Sequence, residues 1–282
     1  MNIQLLSDLH LEVHPHLAPT PAPGADVLVL AGDIGSYQAG SQLADADFGL
    51  QRFSPLARFG GWPVPVLFVP GNHEYDMQDF DAAHARLRET CERLGMVWLE
   101  RDCAVLDGVR FVGTTLWSDF DALHEGAADS PSALSRQLRG REKAYRAANF
   151  YLRKTGTTRH GEPMLAEAVR EHSLICQNWL RKALVEPYDG KTVVVTHFAP
   201  SLQSADPRYG LTPGTAGFCN ALDDLLPQAD AWLHGHLHAP SDYVRVGRHA
   251  GVERRCRVVA NPLGYARKNE QAGFREHLCI PV

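Results

Sequence analysis

Asp8 and His10, Asp33, Asn72 and His73, His197, and His236 and His238 stand at five places along this 282-residue chain, each just past an apolar run. Setting His73 aside, they are two aspartates, one asparagine and four histidines. Mixed imidazole and oxygen donors of this kind suit Mn, Fe or Zn. A single Asp-x-His pair arises readily by chance, whereas five ordered segments ending the same way do not. In an extended strand, residues two apart face the same side, so Asp8/His10 and His236/His238 could each aim two ligands together.

The elements that must carry these residues alternate in period. Ile3–Leu6, Val27–Leu30, Val64–Val69, Thr192–Val195 and Ala231–Leu233 are continuous apolar runs, as expected of strands covered on both faces. Val97–Leu99, Val109–Val112 and Arg257–Ala260 read as further strands. Gly71 follows the third run, where a backbone turns tightly or meets a ligand without a Cβ in the way. Between Gln78 and Leu94, Phe80, His84, Leu87, Cys91 and Leu94 recur at helical spacing, and Gly95 is the expected stop. Leu165–Leu184 reads as a second helix with Leu174, Trp179 and Leu180 inward. Strand ends converging on one rim are where open α/β sheets place their sites.

Composition narrows the partners. The chain is 44% hydrophobic and 22% charged with net charge −5, an ordinary globular balance that gives no broad nucleic-acid footprint. Six scattered cysteines show no paired metal-finger spacing and read as reduced thiols of a cytoplasmic protein. No signal peptide or membrane span is expected. The local exception lies between Arg136 and Arg159, which holds eight Lys or Arg and one acid, Glu142, interleaved with Tyr145, Phe150 and Tyr151. It reads as a basic helical insertion at about 120–165, with helices over Ser132–Leu138 and Glu142–Lys154 broken near Gly140. A charge run is more often a solvated face than a site. As a cap, it would offer Arg141, Lys143 and Arg146 to a phosphate.

Asp8-x-His10, Gly32-Asp33, Gly71-Asn72-His73-Glu74, Thr196-His197 and Gly235-His236-Leu237-His238 together resemble the calcineurin-like metallophosphoesterase superfamily, in particular its compact bacterial members. The resemblance covers roughly residues 1–265 outside the insertion. Gly32-Asp33-Ile34-Gly35 lacks the Asp-Arg-Gly of the protein phosphatases, so that activity is not expected. The resemblance implies one α/β domain over 1–282, a four-layer sandwich of two mixed β-sheets packed face to face with flanking helices. It implies two divalent metals, Mn favoured: one on Asp8, His10 and His238, the other on Asn72, His197 and His236, with Asp33 bridging. It further implies in-line attack by a metal-bridging hydroxide on a phosphoric ester, with His73 off the metals and assisting the leaving oxygen. A small-molecule or nucleotide phosphodiester is the favoured substrate. A phosphomonoester, a nuclease substrate, or a non-catalytic binding role on the same fold are the alternatives.

Other residues default to support. Glu74 is expected to hold a ligand histidine or the local backbone, and His234 to be buried and hydrogen-bonded. His14, His16, His160, His249 and His277 are expected at the surface or in packing. Asp119, His172, Asn261 and Tyr265 are lesser candidates for lining the pocket.

Overall fold

The computed structural model describes residues 1–124 and 130–282, so part of the expected insertion, residues 125–129, lies outside the described residues. Alternation in the apolar runs builds two layers. The first sheet joins β1 (Asn2–Leu6), β2 (Val27–Ala31), β3 (Val66–Val69) and β4 (Val97–Trp98) in parallel, with the C-terminal β13 (Cys279–Pro281) antiparallel beside β1. The second contains β5 (Asp102–Leu106), β6 (Val109–Thr114), β9 (Lys191–Thr196), β10 (Ala231–His234), β11 (Ser241–His249) and β12 (Val252–Ala260), in the order β11-β12-β10-β9-β6-β5. Its centre is parallel and its two edge pairs are antiparallel.

Ile3 and Leu5, Val27 and Val29, and Leu67 and Val69 of the first sheet form one apolar core with Phe111, Val193, Val195, Leu233 and Val259 of the second. The intervening residues, among them Leu28, Leu30, Phe68, Val112, Val194 and Trp232, face outward into a second core. The helices α1 (Phe80–Leu94), α2 (Pro131–Thr155) and α3 (Ala166–Val185) contribute to that core. The architecture is therefore the expected one: two mixed sheets face to face, with helices outside. Between α2 and α3 lies a short hairpin, β7 (Thr158–Arg159) with β8 (Glu162–Pro163).

α1 starts where Asp79 accepts the Ala82 amide and stops at Gly95, whose φ is +68°. Two helix expectations are corrected. α2 is one helix running through Gly140, not two pieces broken there. Gly140 is in place because a Cβ would collide with the His124 ring. On α3, Leu174 is exposed, and the buried stripe runs through Val169, His172, Cys176, Leu180 and Leu184. No helix among the described residues is long and apolar enough to cross a membrane.

Candidate metal centre

All eight residues of the opening set come together where the parallel strands of both sheets end. None lies within a strand, which corrects the expectation from strand alternation. Asp8, His10, Asp33, His236 and His238 instead follow β1, β2 and β10 with positive φ, between 47° and 72°. Non-glycine residues in that region cost roughly 1–3 kcal/mol each and concentrate at functional sites. The turns are held laterally: the Asp8 amide donates to Gly32 O, His10 N to Asp33 O, and Gly235 N to His197 O.

Asp8, His10, Asp33 and His238 form one group of donors, each with an atom within 4.8 Å of the others. Asp33, His197 and His236 form a second, and Asp33 belongs to both. Asn72 joins the second group, its Oδ1 3.2 Å from His197 Nε2. The ring nitrogens have divided roles. His10 Nδ1 is 2.9 Å from Glu12 and His238 Nδ1 is 2.7 Å from Glu270, while their Nε2 atoms face each other at 3.0 Å. His197 Nδ1 donates to Ala31 O, leaving Nε2 toward Asp33 and Asn72. Buried His236 Nε2 and Asp33 Oδ2 have no hydrogen-bond partner among the described residues. Imidazoles anchored through one nitrogen with the other bare, converging on a shared carboxylate, are what two divalent cations require. The donor set fits a dinuclear site.

The charge balance agrees. Burial pushes Asp33 up, but His197 and His73 outweigh it and hold the carboxyl well below its usual range. His197 is raised to about 9 against burial by Asp33, and His238 to about 9 against burial by Asp8 and Glu270. Buried Asp8 and Asp33 thus draw positive charge onto their neighbours. His10 and His236 go the other way, held neutral by burial and by nearby imidazoles, His73 and His197 respectively, so their lone pairs stay available.

His73 sits apart from both groups. Its ring is 5.2 Å from that of His10, and Nδ1 is 2.5 Å from Asp76. Burial opposes its charged form, but Asp76 and then Asp33 raise it well above the usual histidine range. Among the described residues Glu74 holds backbone and no histidine, taking the amides of Asp33, Ile34 and Gly71 and so clamping the loops after β2 and β3 together. Gly71 is needed for close approach, since a Cβ there would strike the Asp33 carboxylate.

Of the three expected substrate contacts, Arg141 has its guanidinium bidentate on Asp121 at 2.8 Å, beside Arg170. Lys143 and Arg146 lie on the exposed face of α2, with Arg146 4.0 Å from Glu142. Among the described residues, no hydrogen bond or ion pair joins these three to the centre. His234 bonds Ser204, Asp119 takes Gln177, and Asn261 ties Leu5 O to Arg275. His14 is half-buried against Gly264 O. His172 lies in a different cluster.

Several supporting residues escaped sequence reasoning. Glu12 and Asp76 follow His10 and His73 by two and three positions, and an acid that close to a ligand motif was a usable signal. Glu270 had none. Tyr265, one of the expected pocket-lining candidates, stacks on His10 at 4.2 Å, and Phe198 stacks on His236 at 3.9 Å, fixing ring planes by contact.

Comparison with known proteins agrees with this geometry. The sequence pattern of calcineurin-like phosphoesterases matches residues 1–240. An uncharacterized protein, L509, of Acanthamoeba polyphaga mimivirus is 24% identical over 269 residues, 90% of this chain and 83% of that one. The crystal structure of a phosphopantetheinyl hydrolase from Mycobacterium tuberculosis superposes with a TM-score of 0.67 at 22% identity, covering 100% of this chain and 95% of that one.

Proposed function

We propose, from the fact that this chain belongs to the calcineurin-like phosphoesterase family and is a metal-dependent phosphoester hydrolase, that its substrate is a small-molecule or nucleotide phosphodiester. The observation that carries the reading is the pair of donor groups sharing Asp33, with His73 free of both. Asp8, His10 and His238 would hold one divalent ion, Asn72, His197 and His236 the other, and Asp33 both, with Mn the favoured metal. Two such ions supply Lewis acidity toward phosphoryl oxygens and an ionised water near neutral pH.

The protein's own residues do the rest. Glu74 fixes the spacing of the Asp33 and Gly71 loops. The His73 amide donates to Asp33 Oδ1 at 2.8 Å, so bridge and acid move together. Asp76 keeps His73 charged, ready to give its proton to the departing alkoxide. Phe218, 42% exposed, lies 5.4 Å from the His236 ring and offers an apolar lip. A diester has a second organic arm to rest on that lip while the first departs past His73, and a monoester does not. This favours the diester. α2 packs on the segment Pro213–Gly217 just before Phe218 and so braces the lip. A cytoplasmic location belongs to the same reading, supported by six unpaired cysteines.

An activity panel with added Mn tests this, covering an aryl phosphodiester, cyclic nucleotides, an aryl phosphomonoester, single-stranded DNA and a phosphopantetheinyl conjugate. The last is included because the similar structure bears that activity in its name. Turnover confined to small diesters is expected. Preference for the monoester or for DNA overturns the substrate class, and no hydrolysis at all points to a binding module.

A further inference from the structure

A second cluster lies away from this centre, between α1, α3 and the end of β6. Glu100, His172 and Cys176 each place a donor atom within 4.8 Å of the others, and all three are buried. His172 and Cys176 are four apart on α3, so one helical face presents both. Glu100 follows β4 and reaches them from the first sheet, its Oε1 3.7 Å from Cys176 Sγ. His172 is only 4% exposed, and neither ring nitrogen has a hydrogen-bond partner among the described residues. It stands edge-on to Phe80, with centroids 4.6 Å apart, and beside Trp117. Buried imidazoles nearly always find a partner, so one with both nitrogens bare, beside a thiol and a carboxylate, calls for a ligand.

The geometry points to a third metal site in this protein, in which Glu100, His172 and Cys176 hold a borderline-soft divalent ion of the zinc or cobalt type. Thiolate with imidazole selects such ions over Mg, Ca or Mn. Binding releases the Cys176 proton to solvent, and thiolate plus carboxylate match the dication once Arg101, whose Nε lies 3.2 Å from Glu100 Oε1 and whose side chain is 30% exposed, turns to solvent. Glu100 is already oriented, with the Thr115 amide and the Thr114 hydroxyl donating to it. A cleft of about 470 Å³ lined by His84, Glu100, Arg101 and Lys182 reaches the Glu100 side of the cluster, from which water could serve as a fourth ligand. Thr115 connects the site to the catalytic loops, its hydroxyl donating to Pro70 O and its carbonyl accepting from Phe198 N. The third ion would brace α3 against the strand ends that carry Asn72 and His197.

Cobalt(II) separates this site from the catalytic one, because the catalytic donors include no sulfur. Chelator-stripped protein titrated with cobalt(II) should bind three equivalents and develop a thiolate-to-cobalt charge-transfer absorption in the near ultraviolet. Cys176→Ser should abolish that band and bind two equivalents while retaining hydrolysis. His172→Phe, which fills the same aromatic surroundings, should do likewise, with circular dichroism confirming that both variants fold. No charge-transfer band in the unmodified protein, or a band that survives in either variant, overturns the assignment.

Discussion

Replacing His73 by alanine tests the proposed acid separately from the metals. Its Nδ1 is committed to Asp76, whose side chain is 1% exposed, whereas the His73 side chain keeps 23% exposure. The ring is not in either donor group, so its loss should leave metal content intact. General acid catalysis contributes about 10²–10⁴-fold, or roughly 2.7–5.5 kcal/mol of barrier at 1.36 kcal/mol per decade. His73→Ala should therefore lower kcat by about that factor on a diester with an alkyl leaving group, with KM nearly unchanged. On an aryl diester, whose phenolate departs without a proton, the loss should be much smaller. Asp76→Asn supplies the pH signature. Asp76 raises the His73 pKa, and the charged form is the active one, so activity is present below that pKa and lost as pH rises through it. Removing the carboxylate lowers the pKa and should move the alkaline limb of kcat to lower pH. Steady-state kinetics on the two esters across pH make the assay. Equal losses on alkyl and aryl esters, together with an unmoved limb in Asp76→Asn, would refute the assignment of His73 as acid.

Further outcomes follow from particular contacts. Glu270→Gln, which weakens the anchor on His238 Nδ1, should reduce metal affinity about 10–100-fold, read from activity against added Mn. Gly71→Ala drives a Cβ into Asp33 and should cost about 1–3 kcal/mol in a denaturant titration, with loss of metal. Arg141 and Arg170 depress the Asp121 carboxyl against burial, so that stabilisation is present above its unfolded pKa and lost as pH falls through the folded value. Asp121→Asn should thus lower Tm at neutral pH, with the gap to the unmodified protein closing in acid. Phe218→Ala should raise KM for diesters while leaving kcat for a small aryl diester nearly unchanged.

The metal-centre residues were readable because each follows an apolar run, and a buried strand must end somewhere chemical groups can meet. Why Asp8/His10 and His236/His238 converge was not readable. Left-handed turns after the strands, not alternation within them, do the aiming. β5 and β11 escaped because they are edge strands with largely exposed residues: β5 offers only the short run Cys103–Leu106, and β11 has no continuous apolar run. Gly140 was mistaken for a break because a glycine set for close packing on His124 has the same letter as one set for a turn. The basic character of α2 suggested phosphate contacts, but Arg141 is spent on Asp121, a partner 20 residues upstream that no local pattern announces. Glu270 lies farther still from its partner, 32 residues after His238, so its anchoring role appears only in the fold.

The most direct measurement is hydrolysis of an aryl phosphodiester against equivalents of Mn added to stripped Cys176→Ser protein, in which the catalytic centre alone remains. Activity should rise to a plateau at two equivalents and be absent from folded Asp33→Asn at any loading. Full activity at one equivalent, or in Asp33→Asn, would contradict a centre built on one carboxylate shared by two ions.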